Sequence, residues 1–127
     1  MRATGSFDVK LNTIDSYEPS VGRRSIDKQF HGDLEATSKG EMLAVMNMAA
    51  ASGAYVAIEC VTGMLGGKRG SFALYHASTM TRGEGAQTVR VAPGSGTDEL
   101  EGLSGSMIII VEAGKHSYEF DYEFSPT

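Results

Sequence analysis

Apolar and polar residues alternate in short runs along this chain, and glycine or another turn former closes most of the runs. Such a rhythm marks antiparallel strands joined by tight hairpins. It predicts eight strands: about Ala3–Leu11, Ser25–Thr37, Glu41–Ala51, Ala54–Gly66, Arg69–Thr81, Gln87–Ala92, Ser106–Glu112 and Lys115–Phe124. Two stretches fall outside the pattern. Asn12–Arg24 is a long connection containing a proline. Pro93–Gly105 is glycine-rich and reads as a wrap across one end of the molecule, with a helical turn over Thr97–Glu101 that Thr97 would cap. The run "EMLAVMNMAAA" (Glu41–Ala51) also has helical character, since alanine and methionine favour helices. A strand is preferred there because Ser52-Gly53 turns directly into "AYVAIECV".

Hairpin turns fix register, and register decides which side chains meet. A turn at Gly67-Lys68 places Glu59 opposite His76, within hydrogen-bonding reach. Tyr55, Val61, Leu65, Phe72, Leu74 and Met80 share their face. A turn at Ser52-Gly53 adds Met46 and Met48, and a loop at Ser38–Gly40, with Gly40 left-handed, adds Phe30, Leu34 and Ala36. A turn at Ala113-Gly114 pairs Glu112 with Lys115 and Met107 with Phe120. It gathers Tyr118, Phe120, Tyr122 and Phe124 on one face, and Ser117, Glu119, Asp121 and Glu123 on the other.

The opposite face of the central strands, with Val56, Ile58 and Tyr75, is also apolar. A sheet with one solvated face would alternate more cleanly. One face is therefore expected to line a barrel interior and the other to meet a second copy of the chain. The expected fold is all-β: a closed antiparallel eight-stranded barrel, formed by one domain over residues 1–127. A β-sandwich is the structural alternative.

Composition narrows the function. The formal net charge is −5 and the basic residues are scattered, which argues against nucleic acid. The longest apolar run, "MIIIV", is too short to cross a bilayer as a helix, and the amino terminus has no signal-like apolar region. A cytoplasmic protein without a membrane partner is expected. Cys60 is the only cysteine, so no intramolecular disulfide forms. The three histidines show no His-x-His or His-x-x-x-His spacing, so neither a metal nor a cofactor is expected.

Four blocks, "FHGDLEATSKGEML" (Phe30–Leu43), "GGKRGSFALYH" (Gly66–His76), "GSGTDELEGLSGS" (Gly94–Ser106) and "YEFDYEF" (Tyr118–Phe124), resemble an uncharacterised bacterial family of small single-domain proteins. That resemblance implies a compact eight-stranded barrel like that of allene oxide cyclase, and it carries no assigned activity. Glu59 and His76 fit the family's pattern. Cys60 and Tyr75 depart from it, which weakens any role built on them; Asp98 stands where the Gly-Thr-Gly segment of allene oxide cyclase-like barrels has a glycine.

The chemistry expected is binding, or cofactor-free conversion, of a small hydrophobic molecule. A carboxylate in an apolar pocket has a raised pKa and serves as general acid or base, here Glu59 with His76 setting its protonation. Met46, Met48, Tyr55, Phe72, Leu74, Tyr118 and Phe120 would shape the ligand. Isomerisation, cyclisation or elimination suits such a site. Two alternatives stand beside it: a non-catalytic carrier or sensor, and a filled barrel acting as an interaction module.

Overall fold

A computed structural model describes residues 1–125. The strands are β1 (Arg2–Ile14), β2 (Gly22–Gly32), β3 (Leu34–Asn47), β4 (Ser52–Leu65), β5 (Lys68–Thr81), β6 (Glu84–Val91), β7 (Leu103–Glu112) and β8 (Lys115–Phe124). Each pairs antiparallel with the next, and β8 returns to β1, which closes the barrel. Two short 3-10 turns, Met48–Ala50 and Asp98–Leu100, are the only helical pieces among the described residues.

Three of the expected registers change. The β4–β5 bend is at Gly66-Gly67, not Gly67-Lys68. Both glycines have positive φ (56° and 85°), as a tight two-residue hairpin turn requires. Leu65 therefore pairs with Lys68, Glu59 with Leu74 and Ala57 with His76. The offset is two residues, which leaves every side chain on its expected face.

The β2–β3 bend lies at Asp33, between Gly32 and Leu34, and β3 runs straight through Ser38–Gly40. Gly40 is not left-handed. Its role is close approach: a Cβ there would fall 2.0 Å from the Ile58 carbonyl oxygen and 2.7 Å from Glu59 Cα. The β3–β4 connection is also longer than a Ser52-Gly53 turn. Asn47 pairs with Ser52, and the 3-10 turn between them is capped by the Asn47 side chain. The strand expected over Glu41–Ala51 thus holds as far as Asn47, and Met48–Ala50 form the 3-10 turn.

The β7–β8 hairpin follows the expected register, with Glu112 opposite Lys115, Val111 opposite His116 and Met107 opposite Phe120. Only one residue pair, Arg90 with Ser106, joins β6 to β7 among the described residues. Higher up that seam, Gln87 Oε1 accepts a hydrogen bond from the Ile109 backbone N–H at 3.1 Å.

The interior is packed at one end and hollow at the other. Phe30, Leu34, Val61, Leu65, Phe72, Leu74, Tyr118 and Phe120 form a continuous core at the packed end. The glycine-rich Pro93–Gly105 segment wraps across this end and inserts Leu100, which is fully buried. Thr97 makes no side-chain cap to its turn. Its hydroxyl instead bonds the Ser71 side chain at 2.7 Å and accepts from the Ser71 N–H at 3.0 Å. These bonds tie the wrap to β5.

Candidate functional site at the hollow end

The opposite end holds a cavity of ≈220 Å³. Phe7, Val9, Ile26, Met42, Tyr55 and Ile109 supply most of its apolar wall; Lys28, His76, Gln87 and His116 add polar groups. A filled barrel would show no such space. The volume is below the ≈300–1,000 Å³ usual for drug-sized ligands and suits a molecule of about one ring.

Between the hollow and the packed core lies a buried polar cluster built on Glu59. This side chain is 0% exposed. Its Oε1 accepts from Ser38 Oγ at 2.8 Å, and its Oε2 accepts from Lys28 Nζ at 2.8 Å and His76 Nε2 at 2.7 Å. The local sequence explains the convergence. Inward positions of β2 read Ile26, Lys28, Phe30, and those of β3 read Ala36, Ser38, Gly40. Gly40, opposite Glu59, leaves the barrel wall thin, so the carboxylate reaches past it toward Ser38 and Lys28. His76 stands two residues beyond Leu74 on β5 and approaches from the other side.

The expected raised pKa of Glu59 is corrected. Burial alone would raise it. The His76 hydrogen bond, the Lys28 charge and the Lys28 hydrogen bond together outweigh burial and hold the group down at about 2. Glu59 is therefore a buried anion, a fixed acceptor rather than a proton store. Nor does it line the cavity; His76 and Lys28 lie between it and the hollow.

A carboxylate cannot donate, so His76 must present N–H at Nε2. Among the described residues no buried side-chain nitrogen or oxygen lacks a hydrogen-bond partner. His76 Nδ1 has no such partner, so it belongs to the accessible atoms, and His76 lines the cavity. In the neutral imidazole the Nδ1 lone pair is left free of protein partners among the described residues, on a side chain that borders the hollow. The geometry is that of a carboxylate-oriented histidine base. Glu59, expected to be the proton-moving group, is instead the anion that orients His76.

Because the folded carboxyl sits near 2 rather than at its ordinary 4.5, Glu59 stabilises the fold fully above about pH 4.5. That contribution is lost as pH falls toward 2 and is worth about 3 kcal/mol. Urea unfolding at pH 7 and pH 3 should show the loss, and Glu59→Gln should abolish the part that this group causes.

The other expected ligand residues separate. Tyr55 lines the cavity. Met46 (48% exposed) and Met48 (82%) do not, because the longer β3–β4 turn carries them to the surface. Phe72, Leu74 and Phe120 are buried in the packed end, away from the hollow. Tyr118 is a clamp: its Oη accepts from Leu34 N–H at 3.0 Å and donates to the His31 carbonyl at 2.9 Å, tying β8 to the β2–β3 bend. Burial pushes its phenol pKa up. Lys28 and Ser38 were missed as site residues. The available signal was Ile26-x-Lys28-x-Phe30, a lysine on the apolar phase of a strand.

On the outer surface, Val56, Ile58 (61% exposed) and Tyr75 border a groove of ≈830 Å³ together with Tyr17 and Leu43. Cys60 is exposed on the same side of β4. Among the described residues no cluster of three or more His, Cys, Asp or Glu is placed to hold a metal ion. No helix among them is long and apolar enough to cross a membrane.

The chain matches, over residues 3–122, the model of a family described as "Protein of unknown function (DUF3224)". It belongs to that family. A crystal structure of a DUF3224 protein of unknown function from Shewanella oneidensis MR-1 is 46% identical, with a TM-score of 0.95, and the match covers 100% of this chain and 98% of that one. No curated relative matches. The family expected from the four sequence blocks is therefore the family found, and the DUF3224 barrel seen here is also the fold of the Shewanella protein.

Proposed function

We propose that this DUF3224 barrel binds a small, ring-sized apolar molecule in its hollow end and moves a proton on it without a cofactor. The observation that carries this reading is His76: its Nε2 is locked on a buried carboxylate, its Nδ1 has no protein partner among the described residues, and the side chain lines the cavity. An oriented base beside an apolar wall supplies what isomerisation, cyclisation or elimination needs, namely acid–base help and a template that excludes water. The packed end plays no part in the chemistry and serves as the rigid support that site geometry requires.

Ethylbenzene, one ring with a short tail, is a direct probe of the cavity. Added to ¹⁵N-labelled protein, it should produce saturable shifts at Ala57, His76, Ile109 and Val111, with the amides around Leu65 and Phe72 unmoved. No saturable shift at the hollow end would refute a binding role. Glu59→Gln separates the carrier alternative: a pure carrier keeps its ligand affinity, and turnover is never seen in either form.

A second reading concerns association. The apolar groove along Val56, Ile58 and Tyr75 supports contact between copies of the chain through this face. Sedimentation should then give a dimer or higher species that Ile58→Glu converts to monomer.

A further inference from the structure

Lys28 is the member of the buried cluster that the proton-transfer reading leaves unused. It occupies an inward position between Ile26 and Phe30, its side chain is 7% exposed, and it lines the cavity. Its ammonium stands 2.8 Å from Glu59 Oε2, 4.8 Å from the centre of the Phe7 ring and 5.6 Å from that of Phe30. An ammonium carries three N–H donors, and among the described residues one carboxylate oxygen is the only acceptor it meets. It shares that oxygen with His76, so a cation and a base stand side by side at the boundary of the same small space.

We propose that Lys28 is the electrophilic partner of His76, and that the site takes a neutral, ring-sized carbonyl compound with an acidic α-hydrogen. The proposal rests on the reading of the hollow end as a binding site. Charge selects the neutral carbonyl. Lys28 and Glu59 cancel, so the floor has no net charge to attract an anion, and a ligand carboxylate would lie near the Glu59 carboxylate. The whole chain, at −5, also disfavours anions. A carbonyl oxygen accepts a Lys28 N–H without bringing in a charge, while the carbon framework rests on the apolar wall. The ≈220 Å³ volume limits that framework to about one ring.

The step balances without a further reactant. His76 Nδ1 takes the α-proton. The C–H electron pair forms the C=C bond, and the C=O π pair moves to oxygen. Lys28 donates a hydrogen bond to the resulting enolate oxygen, where the developing charge makes that bond strongest. Imidazolium then forms beside the Glu59 anion, which stabilises it. Return of the proton to the same carbon gives exchange, and its return elsewhere on a conjugated framework gives an isomer.

Acetophenone and ethylbenzene, alike in shape, test this. Acetophenone should bind wild-type protein about tenfold or more tightly, since a hydrogen bond to a charged donor is the difference. In D₂O its methyl protons should exchange faster with protein than without, and Lys28→Met should reduce that acceleration at least about tenfold. Equal affinity for the two probes, or no accelerated exchange with wild-type protein, overturns the carbonyl proposal and leaves the binding reading intact. Failure of both probes to bind overturns both. Should Lys28→Met not fold, the wild-type comparison decides alone.

Discussion

Glu59→Gln is expected to destabilise the barrel by about 3–5 kcal/mol, because it strands the Lys28 ammonium in a buried site with no counter-charge. The carboxylate accepts three hydrogen bonds at 2.7–2.8 Å and has no solvent to replace them. Replacing both charges should cost less than the two single changes together. Glu59→Leu combined with Lys28→Met removes an ion pair and adds apolar volume, leaving only Ser38 and His76 to find other partners. Urea unfolding of Glu59→Leu, Lys28→Met and their combination measures this directly. Additive losses would mean that the cluster is not a unit, and the orientation of His76 would lose its basis.

Phe120→Ala should cost about 3–5 kcal/mol, as expected for an aromatic deleted from a packed core. Phe120 is fully buried, and its ring lies 5.9 Å from Phe72 and 5.3 Å from Tyr122. Ile109→Ala, on the cavity wall, should cost only about 1–2 kcal/mol, because the side chain already borders empty space and its removal opens little new void. Thermal or urea unfolding of both variants tests the division of the barrel into a packed and a hollow end. Equal losses would mean that the hollow is closed or filled.

The alternation of apolar residues carried the fold, and turn chemistry limited how far it went. The β7–β8 hairpin was legible because Ala113-Gly114 is its only turn former and the aromatics of β8 mark the inside. At β4–β5 three turn formers, Gly66, Gly67 and Lys68, stand in a row, and the sequence does not say which two bend. The two-residue slip kept Glu59 and His76 on one face, so their contact was legible although their register was not. Gly40 misled for a different reason. Its small size answers to the nearby backbone of β4, a steric demand that a single sequence cannot distinguish from a turn.

The same reasoning explains the site residues. Met46 and Met48 were placed by a turn that is longer in the fold. Tyr118 was read as a ligand phenol, yet its hydroxyl is already used by the backbone of the β2–β3 bend. The protonation of Glu59 was inverted because Lys28, two strands away, was not seen as its partner.

The most direct test of the central claim is the tautomer of His76, read by long-range ¹H–¹⁵N correlation of the side-chain nitrogens in wild-type protein and in Glu59→Gln. In the neutral imidazole the wild type should show the proton on Nε2 and a bare Nδ1 that shifts when acetophenone is added. Glu59→Gln should disturb both signals. A proton on Nδ1 with a bare Nε2, or nitrogen shifts indifferent to the loss of the Glu59 charge, would contradict a base held by a buried anion and aimed into the hollow.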